Sequence, residues 1–335
     1  MKTGILAKVG GVAIAPIALG PRHLVWEAGA IEGNDTSTVL VQRDLRSGRT
    51  TTLARNVARA FGLAATSDWV VYATGRLGTT IMAVRHDGSD RRILAASAIA
   101  PISSRGDLVA WAEGDTSRQR VVVRDMASGK EWTAAEMPAC VEGRCYRIDA
   151  VALADRGIVF SRGAIGPHPS FVVRRGFADS EPTELKVPND PQPDLVPSSA
   201  GALYYVLSRA WYRWDFGDIR PRLARLPATA AISLIRREGN HWFLHTRKEC
   251  RSGLLVDDGR GRRIAVASAD QVLAFASSRR QHGSSHGQDV CVLLDQVMWA
   301  GSQPVSAWTL ASEESEEEHS NEGTVGIVLA GKPLP

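Results

Sequence analysis

A chain of 335 residues with 44% apolar content carries enough hydrophobic surface for a sizeable core, which excludes wholesale disorder. A net charge of +4, left by 40 Lys and Arg against 36 Asp and Glu, is too small and too evenly spread to mark a nucleic-acid surface. Four cysteines, Cys140, Cys145, Cys250 and Cys291, are too few and too irregularly spaced for a disulfide framework, so the expected setting is reducing and cytoplasmic; were the protein exported, a Cys140 to Cys145 bridge becomes available.

Residues 1–20 set Lys2 ahead of an apolar run, as a signal peptide does, and export is the alternative they leave open. Lys8 interrupts that run, the stretch is poor in leucine, and residues 12–18 are wanted as a first inner strand, so a strand is expected instead. Nothing else approaches the roughly 20 apolar residues that span a bilayer, and no membrane contact is expected.

The most regular stretch is 69–94, WVVYATGRLGTTIMAVRHDGSDRRIL, in which two β-branched apolar runs flank a Gly-containing turn and the second run ends at Asp87-Gly88. Variants of it recur. Second-strand anchors begin at His23, Trp69, Leu108, Gly157, Ala202, His241 and, more weakly, Asp289. Their average spacing, roughly 45 residues, is that of a four-stranded propeller blade. The first five carry an aromatic at one place, Trp26, Tyr72, Trp111, Phe160 and Tyr205, where the last two have Leu244 and Leu293. Ahead of each anchor lies a small, apolar inner strand, from VAIAPIA in the first to ADQVLAFA in the seventh. Behind lie third strands that close on the turn dipeptides Ser47-Gly48, Asp87-Gly88, Ser128-Gly129 and Asp258-Gly259.

The fold expected is an all-β propeller of seven blades of about four antiparallel strands, or six if the last blade is misread, forming one domain over residues 1–335. The Pro-rich stretch 188–197 connects into the fifth blade, and 277–288 is a polar loop in the seventh. An acidic, solvated loop at 312–323 precedes a closing strand at 324–330, which forms the outer strand of blade seven or closes the ring with the N-terminus.

VRHDGSDRRIL and VRDMASGKEW resemble the strand, polar residue, Gly, basic residue, outer strand pattern of TolB-like and WD40-like propeller repeats. The resemblance implies a fold and carries no functional residue across. The SPDG turn of TolB-like blades has only Ser103-Ser104-Arg105-Gly106 as a counterpart, and the Trp-Asp ending of WD40 repeats is missing.

Gly283-Ser284-Ser285-His286-Gly287 matches G-x-S-x-G by letters, but a nucleophile elbow needs a strand before it and a helix after, and these flanks are polar. His282, His286, Asp289 and Cys291 are metal ligands by type, as are Cys140, Cys145 and Cys250, yet neither spacing is a closed zinc pattern; no metal and no cofactor are expected. Arg209, Trp211, Tyr212, Arg213 and Trp214 interleave cations with aromatics, the combination that stacks on bases, and also suit a third strand with its aromatics between blades.

The channel mouth, where loops entering the inner strands meet those joining second to third strands, is the expected ligand face. Glu27, Arg76, Glu113, Arg147, Arg162, Asp194 and Arg247 are the binding residues expected there, with Asp149, Asp190 and Asp270 adding charge. His245, on the same strand face as His241 and ending its strand, is the expected acid or base, with His168 as a second. Two functions follow. One is a non-catalytic, monomeric scaffold for a protein or peptide partner. The other is a propeller enzyme, a lyase, hydrolase or isomerase, with a small molecule in the central channel. Catalysis requires a His to converge with a carboxylate or metal, whereas a scaffold presents a dispersed rim.

Overall fold

The apolar run Trp69–Thr74 is buried from Trp69 to Ala73 and pairs with Leu63–Ala65 on one side and Thr80–Arg85 on the other; Arg91–Ala95 completes the sheet. This is blade two in a computed structural model that describes residues 4–10, 17–32, 35–55, 57, 62–74, 80–99, 102–141, 143–164, 170–187, 194–197, 201–206, 210–224, 232–238, 241–248, 251–257, 263–277, 290–300, 303–312 and 325–331. Blade one is Ile17–Leu19, His23–Glu32, Asp35–Asp44 and Thr50–Arg55; blade three is Ser103–Arg105, Leu108–Gly114, Arg118–Asp125 and Glu131–Pro138. Blade four is Arg144–Ala154, Gly157–Ala164, Ser170–Gly176 and Thr183–Val187, with Cys140–Val141 added to its inner edge. Blade five is Asp194–Pro197, Gly201–Val206, Ala210–Asp215 and Arg222–Ala224, and blade six is Ile232–Glu238, His241–Lys248, Arg251–Asp257 and Arg263–Ser268. Blade seven is Val290–Ala300, Gln303–Ser312, Val325–Ala330 and, as its fourth strand, Gly4–Gly10. Among the described residues, a parallel pairing of Arg251 with Val292 joins the last two blades into one eight-stranded sheet. The fold is an all-β propeller, as the repeat implies.

Blade seven departs from expectation. The stretch ADQVLAFA is not its inner strand but the helix Ala269–Ser277. Ser268 and Gln271 form a capping box, the Gln271 N–H donating to Ser268 Oγ (3.3 Å) and the Ser268 N–H to Gln271 Oε1 (3.0 Å), with Asp270 in the first turn. Val290–Ala300 is accordingly the blade's first strand, not its second, and Trp308, rather than Leu293, is the buried aromatic of the second.

The chain divides into two compact units. One comprises Met1–Val57, Ala228–Arg236 and Asn240–Pro335, the other Ala58–Pro227 and Arg237–Gly239. In the first, Phe243, Leu254 and Val256 of blade six pack with Ala269 and Val272 of the helix and with Val292, Leu294 and Trp308 of blade seven. Ala7, Met298, Val305 and Val328 of blade seven pack with Ile17, Leu24 and Trp26 of blade one. In the second, blades three and four share a core that includes Val121, Val123, Ile148, Leu153 and Phe160.

Two backbone devices repeat. The residue after the third strand donates its N–H to the carbonyl of the residue before the second: Leu45 to Arg22, His86 to Asp68, Met126 to Asp107 and Phe177 to Arg156. The fourth strand also carries one surplus residue. Ile81 pairs with Ala95 and Met82 with Ile93, skipping Leu94, and the same β-bulge skips Leu53 in blade one, Ala134 in blade three, Val266 in blade six and Leu6 in Gly4–Gly10.

Aspartates fix the turns. Asp44 accepts the N–H groups of Ser47 (2.7 Å) and Arg46 (2.9 Å), and the Ser47 bond leads in lowering its pKa from 3.8 to about 2. Asp115 accepts the Ser117 hydroxyl (2.6 Å) and N–H (2.7 Å) and is likewise held at about 2. A carboxylate with a depressed folded-state pKa contributes stability above its unfolded value, lost as pH falls through the folded one. The melting temperature should therefore fall between pH 4 and pH 2, and Asp115→Asn should flatten that dependence; an unchanged slope in thermal melts across this window would remove Asp115 as a contributor.

Candidate functional site

The edge of each blade that carries the turn from second to third strand is here called upper, the opposite one lower. The upper edges of blades three and four hold Glu113, Arg147, Asp149 and Arg162 of the expected residues. Glu113, only 8% exposed, accepts from Trp111 Nε1 at Oε2 (2.8 Å) and from Arg120 Nε at Oε1 (2.7 Å). Arg162, 7% exposed, donates from Nη2 to the Pro138 carbonyl (2.7 Å) and lies 4.5 Å over the Tyr146 ring, which meets Phe171 edge-on at 5.6 Å. Burial holds the Arg162 pKa below the ordinary guanidinium value. Arg147 is exposed and donates to the Ile99 carbonyl at 3.1 Å, while Asp149, half-buried, accepts the Gly163 N–H at 3.0 Å.

Gln119 was not among the expected residues. It is buried in the third strand of blade three; its Nε2 donates to the Tyr146 carbonyl (2.9 Å) and its Oε1 accepts the Ile148 N–H (2.9 Å), so a side-chain amide continues the backbone bonding from one blade into the next. Beside it, Cys140 and Cys145 face each other across a hairpin and form a disulfide, and Cys291 is also disulfide-bonded. The bridge is the Cys140 to Cys145 pair that the sequence makes available: Gly143, at φ +75°, allows the tight turn that brings the two opposite each other.

Gly114 sets the turn above Glu113. Its φ is +142°, and a Cβ there would stand 2.2 Å from the Arg118 carbonyl oxygen. Gly114→Ala should cost at least about 2 kcal/mol. Gly88→Ala, where φ is +83° but the space is open, should cost about 1 kcal/mol. Equal losses in urea unfolding would show that the close approach carries no weight.

The other expected residues are dispersed. Glu27 is fully buried in the second strand of blade one, opposite Leu40. His245 does not end its strand, which runs on to Lys248; it is half-buried, with Nε2 3.0 Å from the Oγ of buried Ser252. Arg247 pairs through its backbone with Ser252, and Asp194 with Tyr205. Asp270 is exposed on the helix. Arg76, His168 and Asp190 lie outside the described residues, as do the Gly283 to Gly287 match and the acidic run. Glu27, His245 and Arg247 belong to one unit; Glu113, Arg147, Arg162 and Asp194 belong to the other. Of the cation and aromatic cluster in blade five, Trp214 is buried, with Arg174 of blade four 4.6 Å over its ring, which is the packing role between blades. Among the described residues, no three His, Cys, Asp or Glu side chains converge as metal ligands would, and no helix is long and apolar enough to cross a membrane.

No protein-family model and no curated protein matches the sequence. Solved structures do match. The β-propeller domain of the Trilobed protease from Pyrococcus furiosus aligns over 93% of this chain and 93% of its own, at 8% identity and a TM-score of 0.58. An oligogalacturonate lyase in complex with manganese aligns over 94% of this chain and 86% of its own, at 15% identity and a TM-score of 0.52. TolB from Acinetobacter baumannii is matched over 93% of this chain and 80% of its own, at 10% identity and a TM-score of 0.40. The propeller fold that the repeat resemblance implies is borne out by the first two of these structures.

Proposed function

We propose that the chain works as a single binding propeller, a non-catalytic scaffold that holds a protein or peptide partner on the upper edges of its blades. The supporting observation is the state of the charged groups there. Glu113 is occupied by Trp111 and Arg120, Arg162 by Pro138 and Tyr146, and Asp149 by Gly163. Groups locked into the fold hold a surface rigid, whereas acid and base catalysis needs side chains that change partners during the reaction. Arg147, which donates to the Ile99 carbonyl, and Arg118, paired with Glu136 at 2.9 Å, are exposed cations of this edge that a partner would meet. The Cys140–Cys145 bridge supports an oxidising setting outside the cytoplasm. A photo-crosslinking residue at position 147 should capture one discrete partner from an extract of the source cells, competed by excess unlabelled protein, while the same residue at position 92 should not. Equal capture at both positions would sink the proposal.

A second reading, a propeller enzyme, is favoured by the 3.0 Å contact between His245 Nε2 and Ser252 Oγ, an arrangement that can activate a serine. Ser252 is 4% exposed, so the scaffold reading expects no labelling by a fluorophosphonate. Labelling at Ser252 that disappears in His245→Ala would reverse the order of the two readings.

A further inference from the structure

The lower edge of blade five gathers apolar surface that the fold does not use. In the turn from its third to its fourth strand, Ile219 is 91% exposed and Leu223, four residues on, is 59% exposed. The turn is nevertheless fixed from beneath. Arg174 Nη1 donates to the carbonyls of Asp215 (2.6 Å) and Asp218 (2.9 Å), the Asp218 N–H donates to the Asp215 carbonyl (3.1 Å), and Arg222 Nη2 donates to Asp218 Oδ1 (2.8 Å). A depression of about 530 Å³ lies in it, lined by Gly217, Asp218, Ile219, Arg220, Pro221 and Arg222.

The charge is one-sided. Asp218 is neutralised by Arg222, and Arg220 is exposed with no acidic partner among the described residues. A preorganised apolar patch beside an uncompensated cation suits a ligand that carries both an apolar anchor and negative charge, because rigidity lowers the ordering cost and complementary charge guides approach. We infer that this turn docks an acidic peptide segment of a partner protein. One large apolar side chain enters the depression beside Ile219 and Leu223, and carboxylates meet Arg220. The inference goes beyond the upper-edge reading and uses none of its residues.

The test is fluorescence polarisation of the full chain with a fluorescein-labelled peptide EDLFEDE at low ionic strength. Saturable binding is expected, weakened roughly tenfold or more by Ile219→Glu and by Arg220→Glu. Arg147→Glu, on the upper edge, should leave it unchanged, and the basic analogue KKLFKKK should not bind. Ile219 is exposed enough for its substitution to leave the fold intact, which near-UV circular dichroism checks. Absent saturation, equal binding of the basic analogue, or full binding by Ile219→Glu would overturn the inference. So would sedimentation showing that Ile219→Glu dissolves a dimer the peptide leaves intact, since a second copy would then be the occupant. Capture at position 147 reports on the upper edge alone, so the two proposals fail separately.

Discussion

Deleting residues 1–10 is expected to abolish the cooperative unfolding transition of the unit that contains blades one, six and seven. Gly4–Gly10 is the fourth strand of blade seven, paired antiparallel with Val325–Ala330 from Gly4 opposite Ala330 to Gly10 opposite Val325. Without it, the N–H and C=O groups of the third strand's outer side stand open as an edge that invites aggregation. The apolar loss falls deeper. Ala7 is 3% exposed in the cluster that joins Val305 and Val328 to Leu24 and Trp26, so the deletion uncovers the packing of two blades. Urea unfolding followed by tryptophan fluorescence should show a broad, early transition, and a synthetic peptide of residues 1–10 added in trans should sharpen it. Ala7→Asp isolates the packing contribution by placing one unpaired charge in the same cluster, and it should be severely destabilising. A deletion variant that unfolds like the parent would mean that blade seven is complete with three strands.

Gln119→Leu is the point substitution expected to cost most for the fewest atoms. The leucine keeps the volume but removes both bonds of the amide, leaving the Tyr146 carbonyl and the Ile148 N–H unsatisfied between blades three and four. Each buried orphan costs about 1–3 kcal/mol, so about 2–6 kcal/mol is expected. Arg147→Ala, which removes a comparable bond to the Ile99 carbonyl from an exposed side chain, should cost about 1 kcal/mol or less. A leucine variant within about 0.5 kcal/mol of the parent would show that the seam between the blades closes by other means, since typical surface changes are no larger.

Six of the seven second strands were legible because their aromatic and β-branched runs have no competing structure. In Trp69–Thr74 and Leu108–Gly114 nearly every side chain is buried, and such a run, bounded by turn residues, has no other stable form in this context. Blade seven was misread for two physical reasons. Residues 269–276 are apolar enough for an inner strand, and only the Ser268 to Gln271 capping box marks them as a helix. Its fourth strand comes from the other end of the chain, a closure the sequence offers only as one of two roles for 324–330, because local pattern cannot choose between them.

The site residues were harder to read than the fold. Glu113 and Arg162 look like solvated charges at strand ends, yet Trp111 near one and Tyr146 beneath the other supply an indole N–H and a ring face that allow both to be buried. Gln119 sits among the polar residues of RQRVVV, and nothing in the letters separates its buried amide from its exposed neighbours Arg118 and Arg120. The hairpin disulfide did leave a trace, two cysteines spaced around Gly143.

The surplus residue of the fourth strand also leaves a trace, an aliphatic or small residue followed by alanine: Leu53-Ala54, Leu94-Ala95, Ala134-Ala135, Val266-Ala267 and Leu6-Ala7. Because it breaks the two-residue alternation, both members can turn inward, as Leu53 and Ala54, at 4% and 5% exposed, both do. These outermost strands therefore have a parity. A substitution at one of their solvent-facing positions leaves the rest of the strand in phase, but losing or gaining a single residue at the dipeptide turns every position beyond it from inside to out. Length, more than composition, is what this rim of the molecule has to conserve.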